Sequence, residues 1–304
     1  MSRVAYVNGR YVPYAKAAVH VEDRGFQFAD GVYEVIAVNQ GRLVDSSGHL
    51  QRLERSLAEL RIGMPMTRAA LLVVLQETIR RNRVRNGLVY LQVTRGAARR
   101  EFAFPADTAP TVVAIARAVD MGKAAANAAK GVAAITRPDI RWGRCDIKSV
   151  GLLSAALAKQ AAKEAGAYEA WLVDRDGKVT EGSSSNAWIV TRDNVLVTRG
   201  LSRAILGGIT RSAVLELARR EGLRIEERAF TVAEALDARE AFVTSTTSFV
   251  MPIVSLDGKP IGNGGPGLLA GKLRALYEAY MTGHGAGRPE WEAPFLAPPE
   301  AQAR

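Results

Sequence analysis

Residues 144–166 read RCDIKSVGLLSAALAKQAAKEAG, and one lysine of this stretch stands just before a run of small residues. The alanine-rich part predicts a helix from about Leu152 to Ala165, ended by Gly166. Lys148 lies between apolar neighbours ahead of that helix. A lysine kept from water has a lowered pKa, and its neutral amine forms Schiff bases with aldehydes. Taken alone, a surface lysine in a loop is the simpler interpretation.

Three further segments carry groups that suit an active site. Residues 180–186, TEGSSSN, place Glu181 before a run of hydroxyls, as in a polar pocket wall or an ordinary polar turn. Residues 206–211, LGGITR, open a predicted helix, where exposed N–H groups bind phosphate or simply form a capped turn. Residues 244–248, TSTTS, form a hydroxyl cluster that could hold an anion. A G-x-S-x-G hydrolase pattern is absent from the serine run.

The first half of the chain predicts an α+β arrangement of consecutive strands and separate helices. Asn8-Gly9 indicates a hairpin, and Ser46 or Ser47 is expected to cap a helix whose leucines recur at helical spacing. Thr67 is expected to cap a second helix that runs through Arg80. The expected strands are Tyr6-Val7, Tyr11-Val12, Val32 to Val38, Leu88 to Thr94 and Thr111 to Arg117.

The composition divides the chain into two domains. Residues 119–130, VDMGKAAANAAK, are low in complexity and bulk and are expected to connect the domains. We therefore expect a small α+β domain at 1–118, a larger cofactor-binding domain at 131–283 and a flexible tail at 284–304.

Several protein classes are excluded or disfavoured by composition. Cys145 is the only cysteine and the three histidines are scattered, so neither a disulfide within the chain nor a metal site is expected. No stretch of about 18 apolar residues suggests a membrane span. The first residues, MSRVAYVNGRYV, resemble a hairpin rather than a signal peptide. A cytoplasmic protein is expected.

The net charge of +10 raises the possibility of nucleic-acid binding. The 41 basic residues are spread along the chain, and no aromatic RNA-binding motif or zinc finger accompanies them. Solvated basic surfaces are therefore the favoured interpretation, and no nucleic-acid partner is expected.

A lysine, a carboxylate and two anion-binding turns are together what pyridoxal 5′-phosphate requires. The chain resembles the fold-type IV pyridoxal-phosphate enzymes, most closely the D-amino acid aminotransferases. The resemblance covers nearly the whole chain and rests on seven ordered motifs. They are EDRGFQFADGVYEVI (22–36), HLQRLERSL (49–57), YLQVTRG (90–96), DIKS (146–149), TEGSSSNAW (180–188), ILGGITR (205–211) and TSTTS (244–248).

The resemblance implies a role for each matched residue. Lys148 would be the Schiff-base lysine and proton carrier, and Glu181 would contact the pyridine nitrogen. Leu206 would pack on the cofactor ring, while Ser184 and Ser185 would line its pocket. The phosphate would be bound by a further set of residues, namely Arg52, Ile209, Thr210, Ser245 and Thr246.

The substrate side matches less closely. In the D-amino acid aminotransferases, a tyrosine and an Arg-x-His pair bind the substrate carboxylate, and the pair comes from the partner subunit. Tyr33 and Arg100 fit this pattern, but Phe102 replaces the histidine. Arg24, Arg95 or Arg99 could rebuild the clamp.

The resemblance implies a homodimeric transaminase that moves an amino group from a D-amino acid, such as D-alanine or D-glutamate, to a 2-oxo acid by a ping-pong mechanism. An L-branched-chain aminotransferase, an (R)-selective amine transaminase and an aminodeoxychorismate lyase are alternatives of the same fold. A basic nucleic-acid-binding protein and a cofactor-binding regulator without turnover are the alternatives from other classes.

Overall fold

The computed structural model describes residues 3–283 of the 304-residue chain. The tail expected at 284–304 lies outside the described residues. The chain forms two compact units. The first comprises the chain up to Met121 together with Ile147–Gly151, and the second comprises Gly122–Asp146 and the chain from Leu152 onward. The segment that carries Lys148 therefore belongs to the first unit, although both flanking segments belong to the second.

The first unit is a six-stranded antiparallel sheet with three helices. Its elements are β1 (Val4–Val7), β2 (Arg10–Pro13), a 3-10 turn (Tyr14–Lys16), α1 (Arg24–Phe28), β3 (Gly31–Asn39), β4 (Arg42–Leu43), α2 (Ser46–Glu59), α3 (Arg68–Asn82), β5 (Gly87–Thr94) and β6 (Thr111–Ala118). The strand order is β2-β1-β6-β5-β3-β4.

Short-range signals explain most of these elements. Asn8 and Gly9 have φ values of 43° and 88°, as the predicted two-residue hairpin requires. The Thr67 side chain accepts a hydrogen bond from the N–H of Ala70 and caps α3 as predicted. The cap predicted for α2 was wrong: Asp45, in the left-handed region, occupies the cap position and Ser46 is already helical. The helix starts early because the β4 hairpin ends directly before it.

The core of the first unit lies between the sheet and α2 and α3. Leu50, Leu53 and Leu57 of α2 are at most 1% exposed and join one hydrophobic cluster with residues of β3 and β5. Period-3.6 spacing on the helix therefore meets period-2 alternation on the strands. The result is a rigid support for any side chain that β3 presents on its other face.

The second unit contains a nine-stranded mixed sheet. Its elements are α4 (Met121–Lys130), β7 (Val132–Pro138), α5 (Leu153–Glu164), β8 (Glu169–Val173), β9 (Val179–Gly182), β10 (Asn186–Val190), β11 (Leu196–Thr198), α6 (Ile209–Arg220), β12 (Ile225–Glu227), α7 (Val232–Asp237), β13 (Glu240–Ser245), β14 (Phe249–Leu256), β15 (Lys259–Pro260) and α8 (Leu268–Thr282). The order is β12-β11-β10-β13-β14-β7-β8-β9, and β15 pairs with β14.

Strand pairing in this sheet is antiparallel except at three junctions. The pairs β11 with β12, β14 with β7 and β7 with β8 are parallel. Trp171, Trp188 and Phe242 are fully buried. Two sheets with separate helices agree with the α+β expectation.

Residues 119–130, the expected connection, contain helix α4. Their small side chains suggested a linker, but alanine is also the best helix former, and a short segment with five alanines readily forms a helix. The expected domain bounds themselves stay a prediction.

No helix in the described part of the chain is both long enough and apolar enough to cross a membrane.

Candidate active site

Lys148 lies in a short extended segment that runs beside β3. The N–H of Tyr33 donates to the carbonyl of Lys148 at 3.0 Å, and the N–H of Val150 donates to the carbonyl of Gly31 at 3.0 Å. The segment thus pairs with the start of β3 in antiparallel fashion. Backbone bonds, rather than side-chain packing alone, hold Lys148 opposite Tyr33.

The amine of Lys148 faces an aromatic ring. Its Nζ lies 4.4 Å from the centroid of the Tyr33 ring, which stacks on Tyr90 with centroids 5.6 Å apart. Burial raises the pKa of Tyr90 to about 12, so this phenol stays neutral at physiological pH. Within residues 3–283, Lys148 forms no ion pair with an Asp or Glu. No salt bridge therefore has to break before Nζ reacts.

On the opposite face of β3, Glu34 is fully buried and holds two side chains of α2. Arg52 donates from Nε to Oε1 at 2.8 Å and from Nη2 to Oε2 at 2.6 Å. The Nδ1 atom of His49 lies 2.7 Å from Oε2. Helical i, i+3 spacing places His49 and Arg52 on the same side of α2. The forked contact fixes the plane of the guanidinium.

The charges in this cluster follow from burial and pairing. Burial alone would raise the pKa of Glu34, but Arg52 and His49 hold it at about 2. Burial lowers the pKa of His49, so its ring is neutral at pH 7. The neutral ring then donates its Nδ1–H to the carboxylate, because an ionised carboxylate only accepts hydrogen bonds. The cluster is one stable ion pair with a neutral donor.

The loop after β5 presents Arg100 and Phe102 at the surface. Phe102 is 80% exposed and meets Phe28 edge to face at 5.5 Å. The guanidinium of Arg100 lies 5.2 Å from the Phe28 ring centroid and 5.9 Å from that of Phe102. Among the described residues it forms no hydrogen bond or ion pair. Its donors are therefore available to an anion.

Two of the three arginines considered as substitutes for the clamp lie elsewhere. Arg24 and Arg95 are buried and both donate to the carboxylate of Asp30. Buried guanidinium groups with internal partners do not reach a substrate, so this part of the expectation was wrong. Arg99 is exposed.

Glu181, on β9 of the second unit, is a buried carboxylate with three donors around it. Arg141 Nη1 donates to Oε1, Asn186 Nδ2 donates to Oε2 at 3.0 Å, and the N–H of Leu206 donates to Oε2 at 3.1 Å. Burial raises the pKa of Glu181, and Arg141 and the Leu206 N–H act in the opposite direction. A carboxylate in this setting is well suited to pair with a further buried cation or proton donor.

Arg141 was not found from the sequence. It also binds Asp139 through two parallel bonds, Nε to Oδ1 at 2.9 Å and Nη2 to Oδ2 at 2.7 Å. Thr180, next to Glu181, donates to Asp139 Oδ2 at 2.7 Å. Only the spacing D-x-R at 139–141 hints at this group, and that pattern is too common to carry a prediction.

The start of α6 offers backbone donors. Gly208 occupies the cap position and supplies no side-chain acceptor, so no cap side chain satisfies the first N–H groups of this helix. Ile209 and Thr210 are both 3% exposed. Asn186 donates to the Leu206 carbonyl at 2.9 Å as well as to Glu181, and a Cβ on Gly208 would come within 2.1 Å of Asn186 Oδ1. Asn186 therefore couples the carboxylate to the anion-binding turn.

The serine run makes a different contact from the one expected. The hydroxyls of Ser183, Ser184 and Ser185 all donate to Glu169, a buried carboxylate at the start of β8. Their side chains satisfy this carboxylate and fix the shape of the loop. The expectation that Ser184 and Ser185 line a cofactor pocket stays a prediction.

The hydroxyl cluster after β13 is folded into a turn. Ser245 Oγ accepts from the N–H of Ser248 at 3.2 Å and lies 2.7 Å from its hydroxyl. Thr246 is half-buried. Arg274 of α8 donates to the carbonyls of Ser248 and Val250, both at 2.8 Å, and so holds the turn from inside.

Comparison with known proteins identifies the family. The model for amino-transferase class IV matches residues 31–256. A D-alanine aminotransferase of Bacillus licheniformis is 47% identical over 271 residues, which is 89% of this chain and 94% of the relative. The chain belongs to the class IV aminotransferases. A D-alanine aminotransferase of Staphylococcus aureus strain MSSA476 is 36% identical over 280 residues, 92% of this chain and 98% of the relative.

Solved structures of class IV aminotransferases share the fold. The branched-chain amino acid aminotransferase of Escherichia coli gives a TM-score of 0.86 at 23% identity, covering 92% of this chain and 95% of its own. The branched-chain enzyme of T.th., in complex with N-(5′-phosphopyridoxyl)-L-glutamate, gives 0.85 at 28% identity, covering 94% and 96%. The fold, the family and the aminotransferase class predicted from the sequence are confirmed.

The buried Glu34–Arg52 pair generates a prediction about stability. Glu34→Gln leaves the Arg52 charge buried without a full counter-charge, which should lower the free energy of unfolding at pH 7 by about 3–5 kcal/mol. Because the folded pKa lies below the unfolded value, the wild-type advantage is present above about pH 4.5 and is lost as pH falls towards 2. Urea denaturation at pH 7 and pH 3.5 measures both effects.

The matched control is Glu54→Gln, which removes the partner of Arg68 in a half-exposed ion pair of the same unit. Its cost should stay below about 1 kcal/mol. An equal cost for the two variants, or a Glu34→Gln cost that does not shrink on acidification, would contradict the assignment of the charges.

Proposed function

We propose that this class IV aminotransferase transfers the amino group of a D-amino acid, such as D-alanine or D-glutamate, to a 2-oxo acid such as 2-oxoglutarate or pyruvate. The observation that carries the proposal is the similarity, over nearly the full length of both chains, to proteins named D-alanine aminotransferase. The branched-chain enzymes match the fold as well but are less identical. The amino group is held by the enzyme between two half-reactions, in ping-pong order.

The residues present fit pyridoxal 5′-phosphate as the cofactor. Its aldehyde suits the unpaired amine of Lys148, its ring nitrogen suits the buried carboxylate of Glu181, and its phosphate suits the uncapped start of α6. When bound, the cofactor supplies an electron-withdrawing ring that stabilises negative charge at the substrate Cα. Every other part of the catalysis depends on side chains and backbone groups of the chain.

We assign the binding roles in the same way. Ile209 and Thr210 offer N–H and hydroxyl donors to the phosphate, and Arg52, already oriented by Glu34, adds a permanent positive charge. Leu206 packs on one ring face. The remaining wall of the cofactor pocket is formed by small hydroxyl residues, namely Ser184, Ser185, Ser245 and Thr246.

Lys148 and Glu181 carry the chemistry. Lys148 Nζ removes the proton from the substrate Cα and delivers it at the end of each half-reaction, which requires the neutral amine. Glu181, held by Arg141 and Asn186, keeps a negative charge at the cofactor ring nitrogen. This charge favours the protonated ring, which withdraws electrons more strongly.

Tyr33 and Arg100 bind the substrate carboxylate in this proposal. Arg100 is exposed and has unused donors, and Phe102 beside it supplies no hydrogen bond. A charge-assisted hydrogen bond contributes about 1.5–3 kcal/mol, so a clamp that lacks the histidine is about 10- to 150-fold weaker. This favours some use of amines without a carboxylate, the activity of the (R)-selective amine transaminases.

We further propose a homodimer in which the Arg100 loop acts in the partner's site. The support within this chain is the exposure of large apolar side chains on the loop and on α1: Phe102 is 80% and Phe26 is 78% exposed. Such side chains are typical of surfaces covered by another subunit.

The first test is the response of the purified protein to amino acid enantiomers. Addition of D-alanine should bleach the visible cofactor band and yield pyruvate, whereas L-leucine should do so much more slowly. Lys148→Ala should abolish turnover, because the covalent link and the proton carrier are both lost. Lys130→Ala, which changes an exposed lysine of α4, is the matched control. Faster turnover of L-leucine than of D-alanine would reverse the assigned handedness.

The second test separates Glu181 from cofactor binding. Glu181→Gln should lower the rate by about 100-fold or more while cofactor retention changes little, because the phosphate contacts remain. Glu164→Gln, on the exposed face of α5, should behave as wild type. Near-normal turnover of Glu181→Gln would mean that another group faces the ring nitrogen.

The third test addresses the dimer. Lys148→Ala and Arg100→Ala proteins, each nearly inactive alone, should regain activity when mixed and allowed to exchange subunits, because one hybrid site is then intact. Activity should approach about a quarter of the wild-type value at equal mixing, since half of the dimers are hybrids with one of two sites complete. A fully active monomer in light scattering at assay concentration would exclude the arrangement.

A further inference from the structure

We propose that Asp30, bound by Arg24 and Arg95, is a positioning residue that sets where the Arg100 loop lies and therefore how tightly the substrate carboxylate is held. We call these three residues the Asp30 cluster. The inference rests on the proposed role of Arg100 in substrate binding. None of the three side chains is assigned to contact the substrate; each acts through the loop.

The cluster is a buried, forked ion pair. Arg95 donates from Nε to Oδ2 of Asp30 at 2.7 Å and from Nη2 to Oδ1 at 3.0 Å, and Arg24 donates from Nε to Oδ2 at 2.8 Å. The side chains of Arg24, Arg95 and Asp30 are 3%, 7% and 9% exposed. Two guanidinium planes are thus fixed relative to a single carboxylate.

The remaining donors of the cluster reach the loop itself and its surroundings. Arg24 Nη1 donates to the carbonyl of Glu101 at 2.5 Å, in the residue between Arg100 and Phe102. Arg95 donates instead to the carbonyls of Leu60 and Arg61, at 2.7 and 3.0 Å, and so ties the cluster to the end of α2. The loop is linked to the rigid part of the unit through one carboxylate.

Aromatic rings of the loop pack on the same guanidinium groups. The ring centroid of Phe104 lies 3.6 Å from the Arg95 Cζ and 5.9 Å from the Arg24 Cζ. Arg24 also lies 4.7 Å from the Phe28 ring, against which Phe102 packs. Stacking on a planar, permanently charged group is favourable and directional. The loop is held at Glu101 by a hydrogen bond and on either side of it by ring contacts.

Backbone bonds hold the base of the loop. The N–H of Arg95 donates to the Asp30 carbonyl at 3.0 Å, and the N–H of Arg24 donates to the Gly96 carbonyl at 2.9 Å. Beyond residue 98, the loop is exposed as far as Phe104. Its tip therefore depends on the side chains of the cluster, and a change in the cluster moves Arg100 without unfolding the sheet.

The expected consequence is a change in substrate binding at nearly constant chemistry. If Arg100 loses its fixed position, it still attracts a carboxylate but has to be ordered on binding, which weakens the complex. KM for D-alanine should rise about 10-fold in Asp30→Asn and in Arg24→Met, with kcat within about twofold of the wild type. Arg24→Lys should recover little, because an ammonium group cannot bond to Asp30 and Glu101 in the same forked geometry.

Hydrogen exchange gives a readout that does not depend on activity. Amides of residues 96–105 should exchange about 10-fold faster in Arg24→Met than in the wild type, whereas amides of β5 should be unchanged. The matched control is Arg68→Met, which removes an arginine–glutamate pair of the same unit away from this loop. It should alter neither exchange in residues 96–105 nor KM.

The outcomes distinguish this inference from the proposed function. If the wild type does not turn over D-alanine, the proposed function fails, and the exchange comparison still decides whether the cluster positions the loop. Unchanged exchange in residues 96–105 overturns the inference. A fall in kcat equal to the rise in KM, or faster exchange throughout the unit, also overturns it, since either result means a general loss of structure. If Asp30→Asn does not fold, Arg24→Met and Arg24→Lys carry the same comparison.

Discussion

The pairing of residues 147–151 with the start of β3 is the constraint on which the first unit's chemistry depends. Two backbone hydrogen bonds place Lys148 opposite Tyr33, although the chain on both sides of this segment belongs to the second unit. A reactive lysine on a free loop would sample many positions, and each would have to be ordered before reaction. Here the backbone position is set by strand pairing, so only the side chain of Lys148 remains free to move. The alternation of β3 then divides the work: Tyr33 meets the amine, while Glu34 faces inward and orients Arg52.

Arginine is used in this protein mainly as an internal tie. Arg52, Arg95 and Arg141 each make forked contacts with a buried or half-buried carboxylate. The remaining donors of Arg95 and Arg141 extend to backbone carbonyls or to a second carboxylate, as when Arg141 joins Asp139 to Glu181. A guanidinium suits this role because it stays charged when buried and offers five donors in one plane. The excess of basic residues is therefore, in large part, a structural feature, which agrees with the low weight given to nucleic-acid binding.

Short-range signals predicted most elements of the fold, and long-range charge pairing was what they missed. Asn8-Gly9, the cap at Thr67 and the leucine spacing of α2 involve residues within a few positions of each other, so the sequence displays them directly. The Arg141–Glu181 contact spans 40 positions and the Arg95–Asp30 contact spans 65. No local pattern reports which arginine will meet which carboxylate, because that depends on strand order and register. The helix α4 was missed for a different reason, since small residues are equally typical of linkers and of helices.

The candidate site shows the same division. Lys148, Glu181 and the start of α6 could be proposed from local sequence, because each combines a reactive group with an unusual neighbourhood. The choice among four arginines for the carboxylate clamp could not, since all four lie near the same motifs. Burial decides it: Arg24 and Arg95 are bound to Asp30, and their charges are already matched inside the unit. Arg100 differs from them because its guanidinium rests on aromatic rings, which orient it without using its donors. A cation prepared in this way keeps its full hydrogen-bonding capacity for a ligand, which is what binding of a substrate carboxylate requires.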